Sequence, residues 1–158
     1  MASFSLVVTS DRVYRGEKAD EVTPLVKRRL SESGHALAYS TIVPNNPEAI
    51  RGAVENACRH SRIVLVTGGT GLSPRDVSVD VIESIATRRV PGFGEAHRRI
   101  SWDRVGEKAM LSRASAYVVG DCFVAVSPGN PDAVEVALDL LIPVADHIEE
   151  QLSGKPHK

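Results

Sequence analysis

The sequence predicts a three-layer α/β/α sandwich with a mainly parallel sheet and one antiparallel hairpin element. Continuously apolar, β-branched runs such as Ile63 to Val66 are typical of strands that are covered on both faces. Amphipathic stretches of helical period separate these runs, as the crossovers between parallel strands require. Two helix starts show an Asn followed by a Pro, at Asn46-Pro47 and Asn130-Pro131, where the Asn can cap the first turn.

The first elements alternate as strand, loop and helix. Phe4 to Thr9 is predicted to be a buried strand, and the polar stretch from Ser10 to Asp20 connects it to a helix that begins at Thr23-Pro24. That helix is expected to be about three turns long, because Ser33-Gly34 supplies a stop signal. A second strand is predicted at Ala36 to Val43 and ends at the proline that follows it.

The middle of the chain supplies the centre of the predicted sheet. The helix that begins at Asn46-Pro47 has a stripe of apolar residues at Ile50, Val54 and Ala57. The strand Ile63 to Val66 follows and is expected in the middle of the sheet. After a glycine-rich loop, Ser78 is predicted to cap the next helix, whose apolar side carries Val81, Ile82 and Ile85. Pro91 to Gly94 is predicted to be a loop.

The last third of the chain adds the antiparallel element. Glu95 to Ser112 is polar and mostly helical in pattern. Ala116 to Val119 and Cys122 to Val126 form a predicted hairpin around Gly120-Asp121. One long closing helix is predicted after Asn130-Pro131. Its apolar stripe consists of Val134, Ala137, Leu138, Leu141 and Val144.

Length and composition fit one globular domain, residues 1–152, followed by a polar C-terminal tail, residues 153–158. Nineteen basic and twenty acidic residues give a net charge of -1, which argues against binding to nucleic acid or to a membrane surface. No signal peptide or membrane span is predicted, so the protein is expected in the cytoplasm. In that reducing compartment Cys58 and Cys122 are expected to remain free thiols in the core.

The sequence disfavours zinc chemistry and acyl transfer. The five histidines have no paired spacing suited to zinc, and the sequence has no Gly-x-Ser-x-Gly elbow. Aromatic residues make up 4% of the chain, which is too few for a platform that stacks single-stranded nucleic acid. Trp102 is therefore predicted to serve in packing or in a subunit contact.

Unusual residues follow the predicted parallel strands, at the edge where ligands bind in open α/β sheets. The run Thr67-Gly68-Gly69-Thr70-Gly71 comes directly after the central strand, and its bare backbone N–H groups suit a phosphate or a pterin. The run is not a P-loop, since no Gly-Lys-Ser/Thr follows, and Pro74 stands where a dinucleotide fingerprint has its helix-packing glycine. A tight strand-to-helix turn is the alternative interpretation.

Three neighbouring segments extend this candidate site. Arg75-Asp76 offers a cation and a carboxylate that together suit phosphate and Mg²⁺, and a surface ion pair is the alternative. Ser10-Asp11-Arg12 follows the first strand, where Asp11 either serves the site or bonds its own turn. Ser127-Pro128-Gly129-Asn130-Pro131 is either a capped turn or a wall of the site that exposes N–H groups.

These segments resemble the MogA/MoaB family of molybdenum-cofactor biosynthesis. The resemblance rests on the glycine run and on the segments that agree with it in order and spacing, namely Ser10-Asp11-Arg12, Pro74-Arg75-Asp76-Val77-Ser78, Pro91-Gly92-Phe93-Gly94-Glu95, Ser112-Arg113-Ala114 and Ser127-Pro128-Gly129-Asn130-Pro131. It implies a three-layer α/β fold that assembles as a homo-trimer or hexamer and binds molybdopterin. It also implies transfer of AMP from Mg-ATP to the terminal phosphate of molybdopterin, with release of pyrophosphate, and other cofactor-assembly proteins as partners.

The resemblance further implies roles for individual residues. Asp76 is expected to help to hold Mg²⁺, the glycine run to bind phosphate, and Ser112, Arg113, Gly129 and Asn130 to line the pterin side. The predicted substrate-binding and phosphate-binding residues are Ser10, Asp11, Arg12, Thr67, Gly68, Gly69, Thr70, Gly71, Arg75, Ser112, Arg113, Ser127, Pro128, Gly129 and Asn130. Nucleotidyl transfer depends on positioning and on charge neutralisation, so it needs no nucleophile from the protein.

One departure from the family pattern leaves more than one function open. The family often has Val-Pro-Asp-Asp after the second strand, whereas Val43-Pro44 is followed here by Asn45-Asn46. Because an Asn can ligate through its amide oxygen, Asn45 is predicted beside Asp76 at the Mg²⁺ site, and Asn46 is interpreted as a helix cap. The leading prediction is a molybdopterin adenylyltransferase. The alternatives are a protein that binds molybdopterin without adenylylating it and a nicotinamide-mononucleotide deamidase-associated domain of the competence-damage type.

Overall fold

The computed structural model describes residues 1–154 and has a six-stranded sheet between two layers of helices, which confirms the predicted sandwich. The strands are β1 (Ser3–Thr9), β2 (Ala36–Val43), β3 (Ile63–Thr67), β4 (Arg88–Val90), β5 (Ser115–Val119) and β6 (Cys122–Ser127). The helices are α1 (Asp11–Tyr14), α2 (Val22–Glu32), α3 (Pro47–His60), α4 (Ser78–Ile85), α5 (Pro91–Val105), α6 (Pro131–Leu141) and α7 (Ala145–Leu152). Two 3₁₀ helices occupy Gly106–Leu111 and Ile142–Val144.

The strand order of the sheet is β2-β1-β3-β6-β5-β4. β1 pairs in parallel with β2 and β3, and β3 pairs in parallel with β6. β5 is antiparallel to both of its neighbours, so the predicted hairpin with β6 is confirmed. β3 lies in the middle of the sheet and all its residues are buried, as its unbroken apolar run predicts.

Two apolar clusters, one on each face of the sheet, hold the layers together. Alternate strand residues point to opposite faces, so Leu6 and Leu65 belong to one cluster and Val7 and Val66 to the other. Helices α2, α5, α6 and α7 cover the first face, and α3 and α4 cover the second. Each fully buried Leu or Ile contributes about 2 kcal/mol of transfer free energy, so these clusters supply most of the stabilisation of the fold.

Two predicted helix starts are confirmed together with their caps. The side-chain oxygen of Asn46 accepts the N–H of Ala49 at 3.0 Å, and that of Asn130 accepts the N–H of Ala133 at 2.9 Å. A proline occupies the first position of both α3 and α6, where its missing N–H has no cost. Both caps follow the carboxyl end of a parallel strand, so they lie at the same edge of the sheet as the glycine run.

Two segments predicted as loops contain helix. The polar stretch after β1 includes α1, which begins where the hydroxyl of Ser10 accepts the N–H of Val13. Pro91 to Gly94 is the first turn of α5, preceded by the short strand β4 that sequence analysis missed. Gly94 packs against Ala114, and a Cβ there would collide with its carbonyl oxygen. Close approach of a helix to a neighbouring segment explains this glycine, so its presence did not signal a loop.

Two further helix predictions are wrong in detail. Ser78 is the first residue of α4 but does not cap it, because its buried hydroxyl lies 3.3 Å from Thr9 Oγ1 and bonds there. The long closing helix is broken after Leu141, and α7 begins at Ala145. Pro143 explains the break, since a proline removes a helical N–H and clashes with the preceding turn.

Cys58 and Cys122 form a disulfide, so the expectation of free thiols is wrong. The bond joins the last turn of α3 to the first residue of β6, at the edge of the sheet opposite to the glycine run. The two residues are 64 positions apart, and only the packing of α3 on the sheet brings them together. Spacing in the sequence gives no sign of such a pair.

None of the helices between residues 1 and 154 is long and apolar enough to cross a membrane. Of the predicted polar tail, Ser153 and Gly154 follow α7, and residues 155–158 lie outside the described part of the chain.

Candidate functional site

The carboxyl ends of four strands place the predicted site residues at one edge of the sheet. Thr9 pairs with Val43 across β1 and β2, Val8 with Thr67 across β1 and β3, and Thr67 with Ser127 across β3 and β6. The loops that leave these strands therefore start side by side. This parallel register brings together four segments that are separated by up to about 120 residues in the sequence.

The glycine run turns sharply at the end of β3. Gly68 has a φ of +97° and Gly69 a φ of +73°, which favours glycine. The N–H of Gly68 donates to the carbonyl of Ser127 at 2.8 Å, which ties the run to the end of β6. A Cβ at Gly68 would lie 2.6 Å from Thr9 Oγ1 and closer still to the Thr9 carbonyl oxygen. The backbone of the run is thus pressed against β1.

Asp11 is held between two neighbouring loops. Its Oδ2 pairs with the guanidinium of Arg75, and its Oδ1 accepts the N–H of Asn45 at 2.9 Å. The hydrogen bond from Arg75, followed by that from Asn45, lowers the pKa of Asp11. Asp11 is therefore ionised at neutral pH, and a bound phosphate would compete with it for Arg75. Arg12 is exposed on α1, next to Asp11 in the sequence, and the positive charge of Arg15 also lowers the pKa of Asp11.

Asp76 and Asn45 offer oxygen atoms suited to a hard cation. Asp76 is half-buried, and its Oδ2 accepts the N–H of Ser73 at 3.1 Å. The amide oxygen of Asn45 is buried and has no hydrogen-bond partner among residues 1–154. Mg²⁺ in proteins takes one or two carboxylates together with water and substrate phosphates, so each of these two side chains carries an oxygen of a suitable type. In the described chain, no three or more His, Cys, Asp or Glu residues are grouped to hold a metal without such added ligands.

Several predicted site residues bond within the protein. Arg113 donates through its side chain to Gly71, Asp76 and Asp80. The buried hydroxyl of Ser127 donates to the carbonyl of Pro128 at 2.9 Å, and the side chain of Asn130 caps α6. The side chains of Arg113, Ser127 and Asn130 therefore stabilise the segments that form the site through hydrogen bonds within the protein.

A first cavity, here named the α1 cavity, has a volume of about 160 Å³ and lies between the end of β1, α1 and the start of α2. Ser10, Thr67 and Gly129 line it, with Lys18 and Asp20 nearby in its wall. Thr67 is fully buried, and its Oγ1 has no hydrogen-bond partner among the residues that the structure describes. An unpartnered buried hydroxyl is costly in a folded protein, so this wall is suited to a polar ligand.

A second and larger cavity, the α5 cavity, has a volume of about 400 Å³. It lies between α5, the 3₁₀ helix Gly106–Leu111 and the start of α6, and its lining is mainly apolar. Of the predicted site residues, it is lined by Thr70, Gly71, Ser112, Pro128 and Asn130. The glycine run therefore contributes to both cavities, Thr67 to the first and Thr70 with Gly71 to the second.

Sequence analysis missed the polar side chains that α5 brings to this cavity. They are His97, Arg98, Ser101, Arg104 and, from the 3₁₀ helix, Lys108. His97, Ser101 and Arg104 are spaced four and three residues apart, which places them on one face of a helix. That spacing was the available signal, since Glu95 to Ser112 is mostly helical in pattern, but no site was predicted on this helix face.

His97 is the buried titratable group of the α5 cavity. Its Nε2 lies 2.9 Å from the carbonyl oxygen of Ala133, and its Nδ1 lies 3.3 Å from Ser101 Oγ. Burial lowers the pKa of His97, since the charged imidazolium would lose its hydration, and the positive charge of Arg98 acts in the same direction. The folded protein therefore holds a neutral imidazole at neutral pH.

We expect the free energy of unfolding to decrease as the pH falls through about 6.5, the ordinary histidine pKa. Below that pH the unfolded chain binds a proton that folded His97 resists, so the stabilising contribution is full above it and is lost as the pH falls. Urea unfolding at pH values between 5.5 and 7.5 measures this. The variant His97→Gln should show a shallower pH dependence over that range. If the free energy of unfolding of His97→Gln falls with pH as steeply as that of the wild type, His97 is not the group responsible.

The chain is similar to proteins of one family over most of its length. Residues 5–147 match the family described as a probable molybdopterin binding domain. The molybdenum cofactor biosynthesis bifunctional protein of Chlorobaculum tepidum is 33% identical over 155 residues, 97% of this chain and 49% of that protein. The chain thus spans about half the length of this relative.

Two other proteins match over nearly their whole length. A probable molybdopterin adenylyltransferase of Methanocaldococcus jannaschii is 32% identical over 152 residues, which cover 92% of this chain and 90% of the relative. The crystal structure of a molybdopterin biosynthesis protein from Mycobacterium abscessus has a TM-score of 0.88 and 32% identity, and the match covers 97% of each chain.

Proposed function

Since this chain belongs to the family of molybdopterin binding domains in molybdenum-cofactor biosynthesis, we propose that it adenylylates molybdopterin in molybdenum or tungsten cofactor assembly. In the proposed reaction an oxygen of the terminal phosphate of molybdopterin attacks the α-phosphorus of ATP. The bond from that phosphorus to the bridging oxygen breaks, and pyrophosphate leaves. The relative from Methanocaldococcus jannaschii carries the name of this activity.

The observation that carries the proposal is the pair of cavities that share the glycine run. A transfer between two substrates needs both of them to meet at their phosphates, and a run of small residues lies between the two cavities. The α5 cavity, with an apolar lining and cationic Arg104 and Lys108, suits a flat heterocycle that carries a phosphate. The α1 cavity, whose wall carries the unpartnered hydroxyl of Thr67, would take part of the second substrate, ATP.

The residues of this chain position and neutralise phosphates, which is the main requirement of nucleotidyl transfer. Glycine N–H groups of the run can approach phosphate oxygens closely because no side chain stands in the way. Arg75 can release its ion pair with Asp11 and bind a phosphate instead, and Arg12 adds a second positive charge. Effective alignment of two phosphates lowers the barrier without a nucleophile from the protein.

Magnesium is the metal that these residues would hold, through Asp76 and Asn45 together with oxygens of the nucleotide. When bound, Mg²⁺ neutralises charge on the phosphates and stabilises the leaving pyrophosphate. Asp76 supplies the negative charge at this position and Asn45 a neutral oxygen, so the proposed site lacks the carboxylates of the Val-Pro-Asp-Asp pattern that the family often has. We expect ATP and molybdopterin as the two substrates.

We also propose that copies of this chain assemble as a homo-trimer or hexamer, and that other cofactor-assembly proteins are partners. Exposed apolar side chains at the end of α5 and on the following 3₁₀ helix offer a surface for such contacts. They are Trp102, Val105, Met110 and Leu111. Of the two roles predicted for Trp102, packing or a subunit contact, its exposure favours the subunit contact.

Release of pyrophosphate from Mg-ATP, with and without molybdopterin, tests the proposed activity. The wild type is expected to release pyrophosphate only when molybdopterin is present. Asp76→Ala should lower kcat by at least about 100-fold, since a charge that supports the transferring phosphates is lost. Asp146→Ala on α7, an exposed carboxylate at another part of the surface, is the matched control and should retain full activity. An active Asp76→Ala variant would show that Asp76 does not hold the metal.

A molybdopterin-binding protein without transferase activity is the second candidate, and one observation favours it. The two residues after Val43-Pro44 carry no charge, and Asn46 is engaged as the cap of α3. In the second candidate, the wild type binds molybdopterin but releases no pyrophosphate, and Asn45→Asp restores release by adding a carboxylate. Activity in the wild type that Asn45→Asp leaves within about threefold would instead support the transferase with an amide ligand.

A further inference from the structure

We propose that Arg113 is a positioning residue that holds the loop from the glycine run to α4 in one conformation at the wall of the α5 cavity. The resemblance discussed above implies that this side chain faces the pterin. Its contacts instead point to the protein itself, and the inference rests on the proposed function only for its effect on turnover.

Arg113 bonds to both ends of the same loop. Its backbone N–H donates to the carbonyl of Thr70 at 2.8 Å, and its Nε donates to the carbonyl of Gly71 at 3.0 Å. Its Nη2 donates to the carbonyl of Asp76 at 2.8 Å. The stretch between Gly71 and Asp76 is thereby closed by a single side chain that lies about 40 residues further along the chain.

The fourth contact fixes the guanidinium to the next helix. Nη1 of Arg113 donates to Asp80 Oδ1 at 2.9 Å, in the first turn of α4. Three nitrogens of one planar group thus meet three acceptors in different directions. A lysine ammonium is a single point donor on a flexible stem and cannot reproduce this fork.

Few other contacts restrain the loop. Leu72, Ser73, Pro74 and Arg75 are exposed, so apolar packing does not hold them. Their hydrogen bonds with Asp76 are local, as from the N–H of Ser73 to Asp76 Oδ2. Apart from Arg113, the ion pair between Arg75 and Asp11 is the long-range side-chain contact that the structure shows for this stretch within residues 1–154, and a phosphate would open it.

The segment that carries Arg113 is itself held from the other side. Nη1 of Arg98 on α5 donates to the carbonyls of Ser112 at 3.2 Å and Ala114 at 2.7 Å, on both flanks of Arg113. Arg98 and Ser112 line the α5 cavity together with Thr70 and Gly71. Two arginines therefore connect α5, through the segment before β5, to the glycine run, so hydrogen bonds join the separate parts of this cavity wall.

Hydrogen exchange in the ligand-free protein tests the positioning role directly. In Arg113→Lys, amides in the peptide that covers residues 68–76 should exchange about tenfold faster than in the wild type, since charged hydrogen bonds that close the loop are lost. Peptides from β1 and β3 should keep their protection. Arg29→Lys is the matched control, because Arg29 makes a comparable paired contact, with Glu135 and Asp139, between α2 and α6.

Turnover distinguishes a positioning residue from one that touches substrate. We expect Arg113→Lys to lower kcat for pyrophosphate release about tenfold with KM for ATP changed less than threefold, as misplacement of the loop affects alignment more than binding. Asp80→Asn, which removes one charge but leaves the two carbonyl contacts, should remain within about threefold of the wild type in both measurements.

The outcomes separate the two proposals. Unchanged exchange at residues 68–76 in Arg113→Lys, or equal acceleration in Arg29→Lys, would overturn the positioning role. A loss of turnover with unchanged exchange would also overturn it and place Arg113 on the substrate. Faster exchange in a protein whose wild type releases no pyrophosphate would support the positioning role while rejecting the adenylyltransferase.

Discussion

Gly68→Ala is expected to abolish pyrophosphate release and to lower the free energy of unfolding by about 3 kcal/mol, in the range of severe single substitutions. The backbone at Gly68 has a φ of +97°, which a residue with a Cβ adopts only with strain. The added methyl would also meet the Thr9 carbonyl oxygen and Thr9 Oγ1. Thr9 is buried at the end of β1, which is paired with strands on both sides, so we expect the glycine run rather than Thr9 to change its path.

Gly92→Ala is the matched control for this substitution. Gly92 lies in the first turn of α5, and a Cβ there meets nothing within 4 Å. The free energy of unfolding of Gly92→Ala should stay within about 1 kcal/mol of that of the wild type, because alanine has a higher helix propensity than glycine. Urea unfolding and pyrophosphate release measure both effects. Full activity in Gly68→Ala would show that the glycine run does not bind the phosphates.

Among the substitutions considered, loss of the disulfide is expected to lower the free energy of unfolding most while leaving activity almost unchanged. Cys58→Ser should lower the free energy of unfolding by about 4 kcal/mol under non-reducing conditions, as the chain-entropy estimate gives for a closed loop of some 60 residues. The bond lies at the edge of the sheet opposite to the glycine run. Pyrophosphate release well below the melting temperature should therefore change little.

Reductant supplies the control for this prediction. A dithiol added to the wild type should lower its melting temperature to near that of Cys58→Ser, and the same dithiol should leave the variant unchanged. The double variant Cys58→Ser with Cys122→Ser should show a similar loss, because both forms lack the same cross-link. A wild type whose melting temperature does not respond to the dithiol would contradict a stabilising disulfide.

Local patterns predicted most elements because the physical cause of each lies within a few residues. The strand Ala36–Val43 and the hairpin of β5 and β6 follow from apolar content and a turn. The caps at Asn46 and Asn130 follow from one side chain and the proline beside it. Two predictions that were wrong depend instead on partners at a distance, since Gly94 packs against Ala114 and the hydroxyl of Ser78 bonds to Thr9.

The candidate site divides in the same way. The glycine run and its flanking charged residues could be identified as a place for phosphate, since bare N–H groups after a central strand are a local property. The direction in which each side chain points could not be predicted, because it depends on hydrogen-bond acceptors far along the chain. From the resemblance, Arg113 was expected to line the pterin side, whereas in the structure its guanidinium is bonded to Gly71, Asp76 and Asp80.

The order of residues along the chain was thus sufficient for the layers, for five of the six strands and for the edge of the sheet that carries the candidate site. Tertiary structure alone decided the disulfide, the two cavities and the contribution of α5 to the second one. The physical reason is the separation along the chain between the residues that interact. A cap, a turn or an apolar stripe depends on residues close in sequence, whereas a cavity wall or a cross-link forms only when distant elements such as α3 and β6 pack together.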